Sequence, residues 1–431
     1  MARIVIVGAG AAGLMAAGAA AAGGHDVTVL EHTDKPAQKI LVTGKGRCNL
    51  TNACGEEEFL RHVRTNPRFL YSSLYAFPPE KTMRLFESLG VALKVERGRR
   101  VFPVSDKAAE VRAALLDYAA PARLVHDGGA KLLLEPLPQE EGGKEGKKKK
   151  GPVLRCTGVE GRSGRRYEAD CVLVATGGLS YPVTGSTGDG YKLARQAGHT
   201  IVEPVPSLVS LVSHDPDCKK MMGLALKNVK LTLFEDEKAV WDEQGEMLFT
   251  HFGISGPLTL SASSHLGDMK KHRYRVEIDL KPALSDEQLY DRITRDFALL
   301  ANHAAQGALV KLLPASMQPV MVARWGIDPA TRANQITREQ KRELVRLCKH
   351  WVVPIDGRGD LAHAVITSGG VSVREVDPRT MASKKAEGLY FAGEVLDVDA
   401  YTGGYNLQIA FCTAQAFAAH LEQDTKGGNA V

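Results

Sequence analysis

The chain reads as an α/β protein with α+β inserts, whose first and last segments build one nucleotide-binding domain around a β-rich part and a helical part. Three observations predict this. An apolar run, Ile4-Val5-Ile6-Val7, leads directly into Gly8-Ala9-Gly10-Ala11-Ala12-Gly13. Near the other end, Gly388-Leu389-Tyr390-Phe391-Ala392-Gly393-Glu394 is followed by Gly403-Gly404-Tyr405-Asn406-Leu407-Gln408. Between them the hydrophobic pattern changes from strand alternation to helical spacing and back.

Residues 3–31 predict a β-α-β unit. The run at 3–7 is nearly all apolar, as a strand buried on both faces should be. A helix from about residue 11 to 22 is built of alanine and glycine, lies close to the sheet, and ends at Gly23-Gly24. A second strand, 26–30, delivers Glu31 at its C-terminal end. Helices are expected at 79–90 and 106–120, then strands at 131–134, 153–159 and 166–175. The Gly-, Lys- and Glu-rich stretch 140–151 is expected to be a solvated hairpin loop.

The segment 200–280 alternates as strands do, at 230–234 and 274–280. Leu289, Ile293, Phe297 and Leu300 then recur at helical spacing behind Ser285-Asp286-Glu287-Gln288, which has the form of a capping box. Thr337-Arg338-Glu339-Gln340 opens another helix, with Leu344, Leu347 and Trp351 on one face. The expected domains are a nucleotide-binding part at 1–198, a β-rich substrate domain at 199–283 and a helical subdomain at 284–350. The chain returns through the insert at 351–365 and completes the first domain at 366–431.

Composition narrows the function classes. The net charge is +5, and residues 139–151, with five lysines and three glutamates, supply +2 of it, leaving +3 elsewhere. That is too dispersed for a nucleic-acid groove. No basic segment precedes the first apolar run, and no run approaches the roughly 18 apolar residues of a membrane helix. Seven scattered cysteines suit a reduced, cytoplasmic protein and give neither zinc spacing nor another metal constellation. Oligomeric state stays open.

The glycine fingerprint is weak alone, because the chain has 43 glycines, but its context is specific. A strand precedes it, a helix follows, and Glu31 lies eighteen positions past Gly13 (31 − 13). Gly8 permits the tight turn, Gly10 admits the pyrophosphate, and Gly13 lets helix and strand approach. The helix N-terminus favours the phosphate charge. A carboxylate at Glu31 accepts from ribose hydroxyls and repels a 2′-phosphate. A simple NAD enzyme would not need the C-terminal segment. The strand at 389–392 ends at Gly393-Glu394, where a carboxylate can bind a ribityl hydroxyl. Gly403-Gly404 before the apolar stretch 407–417 offers a second helix N-terminus to a flavin ring, which stabilises its anionic reduced form. The cofactor expected is FAD, in a split Rossmann-like domain.

Further motifs carry a resemblance. They are Lys39-Ile40-Leu41-Val42-Thr43-Gly44-Lys45-Gly46-Arg47-Cys48-Asn49, Ala175-Thr176-Gly177-Gly178-Leu179-Ser180-Tyr181-Pro182, Leu248-Phe249-Thr250-His251-Phe252-Gly253, and Ile366-Thr367-Ser368-Gly369-Gly370-Val371. The chain resembles the bacterial FAD-binding family that includes aminoacetone oxidases and bile-acid dehydro-reductase-like flavoproteins. The resemblance implies that Gly8, Gly10, Ala12, Gly13 and Glu31 hold the AMP half of FAD. It assigns Lys39, Thr43, Gly44, Gly46, Arg47, Cys48, Asn49, Gly393, Glu394, Gly403, Gly404, Tyr405, Asn406, Leu407 and Gln408 to the rest, with Thr176 and Gly177 closing over the dinucleotide. It implies non-covalent FAD, and either amine oxidation or reduction of conjugated steroid double bonds.

Candidate catalytic residues are Tyr401 and Tyr181 as proton donors, His251 as a general acid or carbonyl ligand, and Arg47 against flavin or a substrate oxygen. For each, a structural role competes evenly. Cys48 and Cys54 have five residues between them where flavin disulfide reductases have four, which argues against a redox pair. Asp397 and Asp399 read as loop-structuring carboxylates. No second fingerprint follows a strand, so NAD(P)H is expected as a transient donor. The expected enzyme is an FAD-dependent oxidoreductase passing hydride from NAD(P)H through flavin N5 to an electron-poor C=C of a small, partly apolar substrate. The alternatives are an amine oxidase using oxygen, or an FAD-binding RNA-modification or redox-sensing interaction protein.

Overall fold

The computed structural model describes residues 1–137 and 152–427, so the expected loop at 140–151 lies outside the described residues. The chain divides into two compact units, Met1–Pro206 with Leu361–Val431, and Ser207–Asp360.

The first unit is organised by a five-stranded parallel sheet. Its order is Leu389–Phe391, Cys171–Val174, Arg3–Val7, Asp26–Glu31 and Arg123–His126. Four of the five residues of Arg3–Val7 are buried, which suits a central strand covered on both faces. The helix Ala11–Ala22 packs into the same core as the closing helix Tyr405–Gly427. A small residue also lets it approach the helix Ala108–Tyr118: a Cβ on Gly18 would lie 2.3 Å from the Tyr118 ring.

One strand expectation and one helix expectation change. The run at 166–175 is two strands, Arg166–Glu168 beside Leu154–Gly161 and Cys171–Val174 in the parallel sheet. Asp170 marks the transfer, its N–H donating to the Arg3 carbonyl at 2.9 Å and its carboxylate accepting from Arg3 N–H at 2.7 Å. Trp351 does not extend the face of Leu344 and Leu347. The helix Arg338–Lys349 stops first, and Trp351 begins the strand Trp351–Ile355.

The second unit carries a seven-stranded antiparallel sheet, ordered Trp351–Ile355, Tyr274–Asp279, Ala225–Glu235, Lys238–Thr250, Gly253–Ser255, Leu211–Val212 and Gly357–Arg358. Its helices include Asp286–Leu299 and Arg338–Lys349, both opened by reciprocal capping boxes at Ser285 and Thr337. Leu289, Ile293, Phe297, Leu344 and Leu347 share one core with Leu231, Val276 and Trp351. The expected β-rich domain and helical subdomain are therefore one body. Its boundaries also move. Ile201–Ser207 pairs with Ile366–Val371 in a two-stranded sheet, which keeps residues 199–206 with the first unit. Among the described residues no helix is long and apolar enough to cross a membrane.

Candidate FAD site

The C-terminal ends of the parallel strands carry Gly8, Glu31, Thr176 and Gly393. In open α/β sheets this is the edge where dinucleotides bind. Gly8 follows the central strand at φ +104°, and a Cβ there would lie 2.7 Å from the Ala175 carbonyl oxygen and 3.0 Å from Thr176 Cα. A Cβ on Gly13 would fall 1.9 Å from the Gly8 oxygen, whereas one on Gly10 meets nothing within 4 Å. Open space at Gly10 is what a close pyrophosphate needs. The helix N-terminus behind it has no side-chain cap and no acidic residue in its first turn. Its unpaired N–H groups suit an anion.

Glu31 is buried and held by three donors: Ala9 N–H at 2.9 Å, and Thr33 N–H and hydroxyl at 2.8 Å each. An ionised carboxylate has about four acceptor positions, so capacity remains for a sugar hydroxyl. The Thr176 hydroxyl is buried without a hydrogen-bond partner among the described residues. An uncapped helix, open space over Gly10, a fixed carboxylate and an unpartnered hydroxyl fit FAD.

The other half of the site is assembled over long sequence distances. Lys39 Nζ donates to both Glu394 oxygens, at 3.1 and 2.9 Å, across 355 positions. Burial raises the Glu394 carboxyl, but the Lys39 charge and hydrogen bonds from Lys39, Thr367 and Ser180 outweigh it and hold the group below the ordinary carboxylate value. Asn49, with its amide nitrogen facing the Thr51 carbonyl at 3.1 Å, accepts from Gly404 N–H at 3.1 Å. Gly404 needs its positive φ of +94° and its missing side chain, because a Cβ would lie 2.3 Å from the Thr51 oxygen. Thr43, Gly44 and Gly46 form a compact turn, closed by Cys48 N–H to the Thr43 carbonyl at 3.1 Å. Gly393 abuts Ala12, and its N–H donates to the Thr413 hydroxyl at 3.0 Å. The Thr176-Gly177 segment lies beside them, with Gly177 near both Ser186 and Glu394.

Several expected contacts are turned inward. Gln408 is fully buried, accepts from the Thr51 and Thr82 hydroxyls at 2.7 Å each, and donates to the Phe77 carbonyl at 2.9 Å. It braces the fold. Cys48 is fully buried, and burial pushes its thiol up to about 12; Cys54 is raised to about 11, also by burial first. Both thiols are free and poor nucleophiles. Tyr405 stacks on His62, with ring centroids 4.7 Å apart. Asn406 holds the turn before it, bonding the Ala400 N–H and carbonyl and the Tyr401 carbonyl. Leu407 packs against the core of the unit.

The catalytic candidates separate. Arg47 is engaged by Glu96 and by Asp106, at 2.7 Å from its Nε, and lies over the Phe102 ring at 4.1 Å. Two carboxylates and a ring occupy the charge expected to meet flavin or substrate. Tyr181 sits half-buried at φ +51°, opening the loop before Gly185. Tyr401 is half-buried, with its N–H on the His62 carbonyl at 3.0 Å. His251 belongs to the second unit, where it is exposed with Phe252 edge-on to its ring. Sequence reasoning missed Thr51 and Thr82 as partners of Gln408, and Ser180 and Thr367 as partners of Glu394. Hydroxyl residues give no periodic signal, although Ser180 and Thr367 stand inside quoted motifs.

Together the parallel sheet, the fingerprint helix and the glycine turn of the closing helix define the class: a Rossmann-like, FAD-dependent oxidoreductase. A family model described as the HI0933-like protein Rossmann domain matches residues 2–420. The chain belongs to that HI0933-like family. It is 32% identical over 418 residues to a 3-dehydro-bile acid delta(4,6)-reductase of Clostridium scindens, covering 96% of this chain and 97% of the relative. It is 30% identical over 419 residues to a ribosomal RNA dihydrouridine synthase of Haemophilus influenzae, covering 97% and 98%. The solved 3-ketosteroid delta1-dehydrogenase of Sterolibacterium denitrificans matches with a TM-score of 0.50 and 14% identity, over 98% of this chain and 99% of that one. That likeness is one of fold.

Proposed function

We propose that this chain reduces a carbon–carbon double bond conjugated to a carbonyl, in a small, partly apolar substrate, with NAD(P)H as the electron donor. The observation that supports it most is the whole-length relationship to a protein named as a 3-dehydro-bile acid delta(4,6)-reductase. Bound FAD supplies hydride transfer at a ring nitrogen. In this reading the helix Ala11–Ala22 and Glu31 hold its adenosine diphosphate, and the segments at 39–49, 176–180 and 393–404 hold the remainder. Tyr401 and Tyr181 are the proposed proton donors to the carbon next to the carbonyl. Arg47 ranks below them because Glu96 and Asp106 already neutralise it.

Uridine in RNA is the second reading. Its ring also presents a C=C conjugated to a carbonyl, and a relative is named as a ribosomal RNA dihydrouridine synthase. Tyr71 and Tyr75 are exposed by 52% and 45%, with their rings stacked 5.3 Å apart. Such a pair suits base stacking. Anaerobic flavin bleaching tests the proposal. NADH or NADPH should bleach the protein, and a 3-oxo-Δ4 steroid should restore the colour. Restoration by a uridine oligonucleotide but not by the steroid favours RNA. Bleaching by aminoacetone and by neither nicotinamide overturns the reductase reading in favour of an amine oxidase.

A further inference from the structure

The two oxygens of Glu394 have different surroundings. Oε1 accepts three hydrogen bonds: the Ser180 hydroxyl at 2.8 Å, Thr367 N–H at 2.9 Å and Lys39 at 3.1 Å. Among the described residues Oε2 accepts from Lys39 alone, at 2.9 Å, and it lies beside Gly177, where an added Cβ would sit 3.7 Å away. Oε1 is saturated, whereas Oε2 keeps acceptor capacity toward a residue without a side chain. The surrounding hydroxyls form a closed knot. Lys39 Nζ also donates to Ser180 Oγ at 2.5 Å. Thr367 Oγ1 accepts from Leu179 N–H at 2.8 Å and Ser180 N–H at 3.0 Å, tying the 177–180 loop to the strand Ile366–Val371. Ser180 and Thr367 are almost wholly buried, while the Lys39 and Glu394 side chains stay 24% and 22% exposed. The knot is closed behind and open at the carboxylate.

We propose that Lys39, Ser180 and Thr367 are positioning residues that hold Glu394 in one orientation, with Oε2 presented to the hydroxylated chain of FAD. This rests on the flavoprotein reading above. Lys39 then acts through Glu394 as its counter-ion. The acceptor left on Oε2 selects a hydroxylated sugar-alcohol chain, a feature that FAD has and ADP lacks.

Titration of the flavin-stripped protein with FAD and with ADP tests the assignment. Ser180→Ala, which removes one hydrogen bond to the charged carboxylate, and Thr367→Val, which strands the Leu179 and Ser180 N–H groups that hold the loop while keeping Thr367 N–H on Glu394, should each bind FAD about tenfold more weakly and bind ADP within about twofold of wild type. Thr367→Ser and Lys39→Arg should recover most of the FAD affinity. FAD affinity within about twofold of wild type in both hydroxyl-deleted variants overturns the proposal. So does a parallel loss of FAD and ADP, which means a collapsed crevice. If Thr367→Val fails to fold, Ser180→Ala, which removes one oxygen, decides alone. Failure of the wild-type protein to bind FAD sinks the flavoprotein reading itself, a result distinct from equal binding by wild type and variants.

Discussion

The two halves of the FAD site are built by different means. On the adenosine side, Gly8, Gly10, Gly13 and Glu31 lie within one β-α-β unit, and Glu31 is held by Ala9 and Thr33. On the flavin side, the pairs Lys39–Glu394, Thr51–Gln408 and Asn52–Gly403 span 355, 357 and 351 positions. The first half is set by steric fit within a local unit. The second exists after the last strand has joined the sheet, so it depends on buried polar pairs whose loss is felt far away.

The largest expected effect breaks the local half. Gly13→Ala places a methyl group 1.9 Å from the Gly8 oxygen, so the helix must move off the strand. FAD and ADP binding should both be lost, with about 3 kcal/mol of destabilisation in urea melts. Retention of wild-type ADP affinity would break the comparison on this side.

Gln408→Leu attacks the long-range half. It strands the buried hydroxyls of Thr51 and Thr82, at about 2 kcal/mol. Titrations should then show weakened FAD binding with ADP nearly unchanged. Equal losses of both would show that the halves are not separable.

Acid sharpens the contrast through two groups of the first unit, His199 outside the site and Glu394 in its long-range half. His199 is buried between Ser383, at 2.7 Å from Nε2, and Glu375, at 3.3 Å from Nδ1. Burial pushes it down to about 4, against the Glu375 charge, which pulls it up. Its folded value lies below its unfolded value near 6.5, so the unfolded chain binds the extra proton. Stability should be full above that unfolded value and fall as pH drops toward the folded one, by up to about 1.4 kcal/mol per pH unit. Glu394, also held low, adds a loss of the same sign as pH falls through its depressed folded value. Urea melts of wild type and His199→Phe should show a flatter acid slope in the variant; equal slopes would remove His199 as the cause.

The smallest effect is a control outside the site. Ser285→Ala removes the capping box of Asp286–Leu299, for about 1 kcal/mol, with FAD affinity unchanged.

What was legible followed the range of the interaction. The fingerprint, the helix Ala11–Ala22 and both capping boxes involve residues a few positions apart, and their spacing predicts them directly. The break at Asp170 was hidden, because an apolar run has the same pattern whether it stays in one sheet or changes sheets. Trp351 kept helical spacing after the helix had stopped. Arg47 read as a ligand for flavin because Glu96 and Asp106, 49 and 59 positions away, carry no mark of their pairing.

By itself the sequence determined the dinucleotide turn, its acidic partner and the presence of a second glycine turn near the end of the chain. Those depend on backbone sterics and on local spacing. Tertiary structure alone decided that Lys39 meets Glu394, that Gln408 faces inward and that Arg47 is already paired. Each of these rests on which strands become neighbours, and charge and hydrogen bonding act over a few ångströms whatever the separation along the chain.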